Sequence, residues 1–479
     1  MIFTQKDPIK IYVQDYTQSE YDELYKCLSY KDNSADHQIR NLISNSWFKK
    51  SMGEAAFNQR IQELKAQANQ VALFQDEKGV YVLSGLKSLL IEKFPTATMN
   101  VDYKTVEPKL IPWSKVPDFK LRPYQEDSVK KMFGVCPSNT ELATGAGKTA
   151  VILHLAKELG LKTLIVAPST NIATAIYKLF LKHFPQKNVG FFGGSKKQTD
   201  KLFTIAIAQS LIRLKPGTDE WNELSTCDAF MFDECHLVAA NTFFAIATGV
   251  AARATHRYFC SATPERNDGK DLLLQSIIGE TVVRKSIRDL IDEGYLAKIN
   301  TIIFDVESDD TYSSTNAMKM NQNHLYDNKK IRALISNMTQ SAYNHNCQTL
   351  VLIDEHDQEK LLQSDMKIPY EYASGLSDTN KIIDDFNSGK AMCVIGTSAV
   401  SIGSDFKSNQ ITINWQGGKA GTKVKQGPIG RSTRLDDRTG KKQCTIVDFR
   451  ITNVPMLKRH ANERIKHYKE VGPVAYAKL

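Results

Sequence analysis

The sequence predicts an α/β fold with two tandem parallel-sheet units, a cleft between them and a small α+β module in front. From residue 121 onward, short β-branched runs alternate with amphipathic helical stretches, which is typical of parallel sheets wrapped by helices. A chain of 479 residues also exceeds the size of one hydrophobic core. The strand-like runs form two series, one at 163–167, 203–207 and 229–232, the other at 301–304, 349–353, 392–395 and 445–447.

The composition indicates an ordinary globular protein, with 42% hydrophobic and 24% charged residues. The eight cysteines lack the spacing of a zinc or redox site, so we expect reduced, mostly buried thiols. The formal charge of +9 suits a polyanionic partner. No apolar stretch reaches the roughly 20 residues that span a bilayer, and the N-terminus lacks a secretory pattern. We therefore expect a cytoplasmic protein without a membrane partner.

The region before residue 115 reads as a small separate module. Two apolar runs at 71–74 and 80–83 flank a turn-forming stretch and predict a hairpin. Prolines at 108, 112, 117 and 123 then mark a linker. Two interpretations stay open for this module, a DNA-binding role or a structural or protein-binding role. The basic candidates for DNA contact are Lys49, Lys50, Arg60 and Lys65.

Residues 144–149 combine glycines with a lysine and a threonine directly before an apolar helix. Glycines let backbone N–H groups approach phosphate oxygens, and the helix N-terminus adds a favourable dipole. Lys148 then reaches the outer phosphates and Thr149 ligates Mg²⁺. Leu142 stands where the full phosphate-loop pattern has glycine, and a turn before a core helix is the alternative. The predicted nucleotide contacts are Thr144, Gly145, Ala146, Gly147, Lys148 and Thr149.

An acidic pair follows the apolar run at 229–232. A phosphate loop needs an acid for its metal and a base for water at the end of a neighbouring strand. We predict that Asp233 holds Mg²⁺ and that Glu234 orients or deprotonates the attacking water. The alternative is a solvated turn, but the upstream phosphate loop favours the catalytic interpretation.

Further short motifs follow in a fixed order, at 121–125, 167–170, 208–211, 261–264, 396–398, 403–405 and 430–434. Their order resembles superfamily 2 helicases from residue 121 to the C-terminus. The resemblance implies RecA-like domains at 116–298 and 299–479 behind an accessory module at 1–115. It also implies an ATP hydrolase with Mg²⁺, coupled to nucleic-acid unwinding.

The resemblance implies roles for single residues. Arg122 and Gln125 would recognise adenine. Ser261 and Thr263 would couple hydrolysis to motion. Gly403 and Asp405 would contact ATP from the second domain. Arg431 and Arg434 resemble arginine fingers, although Gln426 is displaced from the family's glutamine position. Charge that spreads over a transferred phosphoryl group needs a cation that arrives only when the domains close. Hydrolysis would then depend on closure.

A motor that accepts many sequences should contact phosphate and sugar. The predicted nucleic-acid contacts are Ser169, Thr170 and Gln209 in the first domain, and Ser374, Thr397, Lys419, Lys423 and Lys425 in the second. The basic loop at 419–425 is either a DNA-sensing loop or a solvated connector. Its position just before Arg431 favours the sensing role.

Three segments narrow the resemblance, at 233–236, 261–269 and 290–296. With the tail at 460–468, they resemble bacteriophage recombination helicases of the UvsW type. That resemblance implies branched DNA, such as forks and Holliday junctions, as partner in recombination, repair or replication, and the host cytoplasm as location.

Other functions stay open. A duplex DNA translocase without strand separation and an RNA helicase share most of these motifs. A nucleotide-gated scaffold without turnover is disfavoured because acid, base, lysine and arginines are all present. A small-molecule kinase would need only one phosphate-loop unit, so the second α/β series argues against it.

Overall fold

The computed structural model describes residues 1–44, 46–111, 120–237, 240–262, 269–375, 377–397, 406–419 and 421–479. The chain divides into two compact units, Met1–Ala143 with Gly147–Arg284, and Thr144–Ala146 with Lys285–Leu479. Within the described ranges, no helix is both long and apolar enough to cross a membrane. The domain boundaries expected at residues 115 and 298 remain a proposal.

The N-terminal module is α+β. Its strands are β1 (Ile2–Gln5), β2 (Lys10–Gln14), β3 (Ser29–Lys31), β4 (Asn69–Val71), β5 (Phe74–Asp76), β6 (Gly79–Leu83) and β7 (Thr98–Val101), and its helices are α1 (Gln18–Cys27), α2 (Asn33–Ser44), α3 (Ser46–Met52), α4 (Glu54–Ala68) and α5 (Lys87–Lys93). A mixed sheet has the order β5-β6-β2-β1-β7, and β3 pairs with β4. The predicted hairpin is β5-β6, which starts three residues later than the first apolar run.

The N-terminal module shares apolar packing with the sheet that follows it. Leu83 belongs to the core of that sheet, and Phe74 and Tyr81 pack against the same core. In the other direction, Leu272 packs against the module's own core. The ion pair Lys270–Asp32, 3.1 Å, adds a polar contact. The module is therefore packed onto the first lobe rather than joined only through a linker.

The first lobe is a parallel sheet wrapped by helices. Its elements are α6 (Pro123–Gly134), β8 (Ser138–Leu142), α7 (Lys148–Leu159), β9 (Thr163–Ala167), α8 (Thr170–His183), β10 (Val189–Gly193), β11 (Lys196–Lys197), β12 (Phe203–Ile207), α9 (Ala208–Leu211), α10 (Asp219–Leu224), β13 (Ala229–Asp233), α11 (Ala240–Thr248), β14 (His256–Ser261), α12 (Asp271–Ile278) and β15 (Glu280–Lys285). Helix α13 (Ile287–Asp292) belongs to the second unit. The order is β11-β10-β12-β9-β13-β14-β8-β15.

The central pairings of this sheet, from β10 to β8, are all parallel. The carboxyl ends of these strands therefore lie at one edge, where open α/β sheets bind their ligands. Helix α7 ends at Gly160, which adopts a left-handed conformation with φ +57°, as a glycine C-cap requires.

The second lobe has the same architecture. Its elements are β16 (Lys298–Val306), α14 (Ala317–Asn321), α15 (Lys329–Asn344), β17 (Thr349–Leu352), α16 (His356–Gln363), β18 (Glu371–Ala373), α17 (Thr379–Ser388), β19 (Cys393–Gly396), β20 (Ile411–Asn414), α18 (Gly421–Val424), α19 (Gly430–Ser432), β21 (Gln443–Ile451), α20 (Pro455–Val471) and β22 (Val474–Lys478). The order is β18-β19-β17-β20-β21-β16-β22, and its pairings are parallel. The predicted α/β fold, with two RecA-like sheets and a small α+β module, is confirmed.

Candidate nucleotide site and nucleic-acid contacts

The predicted phosphate loop connects β8 to α7. Gly145 and Gly147 have φ values of +92° and +79°, a region that side chains rarely adopt. A Cβ atom on Gly147 would lie 2.5 Å from the side-chain nitrogen of Gln125. Gly147 is therefore required both by its backbone conformation and by the close approach of Gln125.

Lys148 lies at the first position of α7 with a side chain that is only 6% exposed. Its ammonium donates to the carbonyl oxygen of Leu142 at 3.0 Å and lies 2.9 Å from Oε1 of Glu234. A buried cation is strongly destabilising unless it is paired. Lys148 and Glu234 therefore neutralise each other inside the site.

Asp233 ends β13 and is 3% exposed. The Thr149 hydroxyl donates to Oδ2 at 3.3 Å, whereas Oδ1 has no hydrogen-bond partner among the residues described. Burial, and then the charge of Glu234, raises the pKa of the Asp233 carboxyl. A buried carboxylate oxygen without a donor is suited to a cation.

The residues at this position fit Mg²⁺. In the described part of the chain, no cluster of three or more His, Cys, Asp or Glu forms a metal site. Mg²⁺ commonly takes one or two protein oxygens and completes its shell with phosphate and water. Thr149 and Asp233 supply that number of oxygens.

Glu234 has a left-handed backbone with φ +52°, which is uncommon for a residue other than glycine and is found preferentially at functional sites. This turn directs its carboxylate to Lys148 on one side. On the other side, Oε2 lies 3.5 Å from Nδ1 of His236. The strained turn thus places the proposed base between two nitrogen groups.

His236 links the acidic segment to the next strand. Its Nδ1 lies 2.8 Å from the hydroxyl of Ser261 at the end of β14. Ser261 is a predicted coupling residue, whereas no role is predicted for His236. The signal for His236 was its position two residues after Glu234. The second predicted coupling residue, Thr263, lies outside the described residues.

Gln125 lies beside the phosphate loop, as its contact distance to Gly147 shows. Its Oε1 accepts a hydrogen bond from the backbone N–H of Arg122 at 2.8 Å. The Arg122 guanidinium donates to the Tyr124 hydroxyl at 3.0 Å. This bonded pair at the start of α6 is where the predicted adenine contacts lie.

The three predicted nucleic-acid contacts of the first lobe lie at the same sheet edge as the acid pair. Ser169 and Thr170 follow β9, and Gln209 follows the neighbouring strand β12. Ser169 accepts a long hydrogen bond from Ile172 N at 3.5 Å, as an N-cap does. Thr170 and Gln209 are exposed.

Ser374 and Thr397 follow the neighbouring strands β18 and β19 of the second lobe. Both are buried, and Thr397 N donates to Ala373 O at 3.1 Å. Arg431 is buried in α19, and Arg434 lies just after it. The predicted ATP contacts Gly403 and Asp405 lie outside the described residues.

The described part of the basic loop is largely helical. Residues 421–424 form α18, and a π-helical turn follows at Lys425–Ile429. Lys423 pairs with Asp354, and Lys425 lies 3.4 Å from Glu470. Lys419 is exposed. Asp354 was not identified from the sequence because it lies 69 residues before Lys423.

Comparisons with known proteins agree with these motifs. Residues 118–266 match the family model described as type III restriction enzyme, res subunit. A DNA 3'-5' translocase XPB2 of Sulfurisphaera tokodaii is 29% identical over 39% of this chain and 41% of its own length. A DNA 3'-5' helicase XPB of Kineococcus radiotolerans is 23% identical over 66% of this chain and 57% of its own length. The chain spans about half the length of these curated relatives.

Two solved structures complete the comparison. The DNA-bound type ISP restriction-modification enzyme LlaBIII aligns over 78% of this chain and 32% of its own, with 13% identity and a TM-score of 0.55. It shares the fold. The bacteriophage T4 UvsW structure aligns over 100% of both chains, with 16% identity and a TM-score of 0.45. The family match and the curated relatives named as DNA translocase and DNA helicase agree with the resemblance to superfamily 2 helicases.

Proposed function

We propose that this chain is an ATP-dependent DNA helicase or translocase that unwinds or branch-migrates forks and Holliday junctions. The observation that carries the proposal is the convergence of Lys148, Thr149, Asp233 and Glu234 at one sheet edge. Motors of this class need a cation for phosphate, a metal ligand and a base within hydrogen-bond reach of one another. The relatives named as DNA translocase and DNA helicase support DNA as partner.

The chemistry proposed is hydrolysis of ATP by an in-line water. Lys148 exchanges Glu234 for an outer phosphate, which frees the Glu234 carboxylate to accept a proton from water. The water oxygen bonds to the γ-phosphorus, the bond to the bridging oxygen breaks, and ADP leaves with that electron pair. Thr149 and Asp233 would hold Mg²⁺, which neutralises developing charge on phosphate oxygens.

Coupling to motion is proposed to run through His236. This ring contacts the Ser261 hydroxyl at 2.8 Å and faces Glu234 at 3.5 Å. A change in the charge of Glu234 during turnover therefore alters the hydrogen bonding of a residue at the end of β14. Thr263 is kept as the second coupling residue by family resemblance.

The second lobe is proposed to complete the nucleotide site. By resemblance, Arg431 and Arg434 stabilise charge on the transferred phosphoryl group when the lobes close. Gly403 and Asp405 would contact ATP from that lobe, and Arg122 and Gln125 the adenine from the first.

Nucleic-acid binding is proposed at both lobes through phosphate and sugar. The contacts proposed are Ser169, Thr170, Gln209, Ser374, Thr397, Lys419, Lys423 and Lys425. Branched DNA as preferred substrate, and a role in bacteriophage recombination, repair or replication within the host cytoplasm, are supported by the UvsW-type motifs at 233–236 and 261–269.

The test is ATPase stimulation and strand displacement with matched DNA and RNA panels of single strands, duplexes, forks and four-way junctions. We expect DNA forks and junctions to stimulate hydrolysis and to be unwound, and Lys148→Ala to lose both activities. Stimulation by RNA equal to that by DNA would overturn the choice of DNA. If no nucleic acid stimulated ATP hydrolysis, the assignment as a nucleic-acid motor would be overturned.

A duplex translocase is the second candidate, because one relative is named as a DNA 3'-5' translocase. The same panel separates the two. A translocase hydrolyses ATP on duplex DNA and displaces a bound triplex-forming strand, but it does not separate the strands of a fork.

A further inference from the structure

Asp354 receives donors from three separate segments of the second lobe. It lies just after β17, and its side chain is 14% exposed. Its Oδ2 accepts from the Tyr326 hydroxyl at 2.7 Å and from the backbone N–H of Gly417 at 2.7 Å. Its Oδ1 pairs with the Lys423 ammonium. One carboxylate therefore holds both Gly417 and Lys423.

Gly418, the residue after Gly417, contacts a buried ion pair between Arg464 and Asp448. The Arg464 guanidinium donates to the carbonyl oxygen of Gly418 at 2.8 Å. The same guanidinium makes bonds of 2.9 Å and 2.8 Å to Asp448. Bidentate pairs of this kind fix orientation as well as position. The backbone of Gly418 is thus bonded to Arg464, a buried residue of α20 whose orientation is fixed by Asp448.

Gly417 also packs closely against Asn321. A side chain at Gly417 would collide with Asn321, so the backbone at Gly417 lies directly against that residue. Between Gly418 and Lys423, Lys419 is exposed. After Lys423, the π-helical turn Lys425–Ile429 leads into α19 with Arg431. Lys419 is therefore exposed directly after two held residues, Gly417 and Gly418, in the same lobe as Arg431.

We infer that Asp354 is the positioning residue of this loop: it holds Gly417 and Lys423 so that Lys419 meets a nucleic-acid phosphate at a fixed place relative to Arg431. This inference rests on the proposed function. Without the carboxylate, ordering of the loop must be supplied by nucleic-acid binding itself, which lowers affinity. The alternative is that Asp354 restrains Lys423 and thereby opposes nucleic-acid binding.

The test is Asp354→Asn in the full chain, compared with Asp357→Asn. Asp357 lies three residues later, is exposed and pairs with Lys360 at 2.8 Å. Both variants are titrated with a single-stranded DNA oligonucleotide in an ATPase assay. We expect Asp354→Asn to raise the DNA concentration for half-maximal stimulation about tenfold, with kcat at saturating DNA changed less than about twofold.

Hydrogen exchange on the same proteins gives an independent readout. We expect amides of residues 417–425 to exchange faster in Asp354→Asn, while those of β17 and β20 keep wild-type rates, which also reports correct folding. Tighter DNA binding or unchanged loop exchange would overturn the inference. If the wild type shows no DNA-stimulated ATPase, the proposed function fails, and the exchange measurement still decides whether Asp354 orders the loop.

Discussion

Asp233 is buried, yet one of its carboxylate oxygens has no hydrogen-bond donor in the part of the chain that the structure describes. Its pKa is raised chiefly by burial, then by Glu234. A site with these properties is unfavourable for folding until a cation binds. Functional sites often lower the stability of a protein, and stability rises when a charged residue of the site is replaced by a neutral one.

Asp233→Asn should therefore stabilise the metal-free protein at neutral pH and abolish ATPase activity. A carboxyl whose pKa is raised in the folded chain contributes stability below its unfolded value of 3.8, and that contribution is lost as pH rises toward the folded value of about 7. In EDTA, the variant should melt about 3 °C above wild type at roughly pH 8.

Near about pH 4, the two proteins should melt together, because wild-type Asp233 is then protonated. Asp228→Asn, a change just before the same strand, is the control. A variant that melts below wild type at high pH in EDTA would contradict the account of Asp233.

Ser261→Ala should separate hydrolysis from movement. The change removes the hydroxyl that contacts His236 at 2.8 Å, but leaves Lys148, Asp233 and Glu234 in place. We expect DNA-stimulated ATPase within about threefold of wild type and strand displacement reduced about tenfold. Equal losses of both rates in single-turnover assays would show that Ser261 acts in the chemical step instead.

At the scale of elements, the loop between β8 and α7 depends on left-handed glycine. In Gly147→Ala, the new Cβ would displace the Gln125 amide and break its bond to Arg122 N. We expect weaker binding of a fluorescent ATP analogue by about tenfold or more. The control is Gly194→Ala, with φ +59° and open space around the new methyl group.

Gly194→Ala carries the backbone strain alone, so it should lower stability by about 1 kcal/mol without altering nucleotide affinity. If both variants bind nucleotide equally, the close approach of Gln125 has no functional importance.

Three strands of the first-lobe sheet (β9, β12, β13) and four of the second-lobe sheet (β16, β17, β19, β21) were predicted, as were the positions of the phosphate loop and the acid pair, because each depends on local signals. A buried strand is a continuous apolar run, as at Phe230 and Val351, and a phosphate loop is a contiguous pattern. The first strands, β1 and β2, were not predicted, since they are short and polar residues interrupt them. The partners of Asp354 were not predictable either, because Lys423 and Tyr326 reach this carboxylate only through tertiary packing.

At the scale of the molecule, the N-terminal module and the first lobe form one packed body. Phe74 of the module packs against Phe244 of the lobe in a tilted arrangement, with ring centroids 5.6 Å apart. Deleting residues 1–115 would thus expose apolar surface of the lobe. A DNA-binding role for Lys49, Lys50, Arg60 and Lys65 is better tested by charge reversal than by deletion.

A double-mutant cycle of Phe74→Ala and Phe244→Ala tests this packing. We expect each change to lower the free energy of unfolding, and the pair to show a coupling of about 0.5–1.5 kcal/mol. Ile212→Ala, at an exposed position, should change stability little. Additive effects of the two phenylalanines would show that the module and the lobe unfold separately.

The most direct measurement of the central claim is ATP turnover by Glu234→Gln, with nucleotide affinity measured on the same protein. Glutamine keeps the size of Glu234 but cannot accept the proton from water. The account predicts wild-type affinity for ATP with Mg²⁺ and DNA-stimulated turnover reduced about a hundredfold or more. Turnover at the wild-type rate would contradict it.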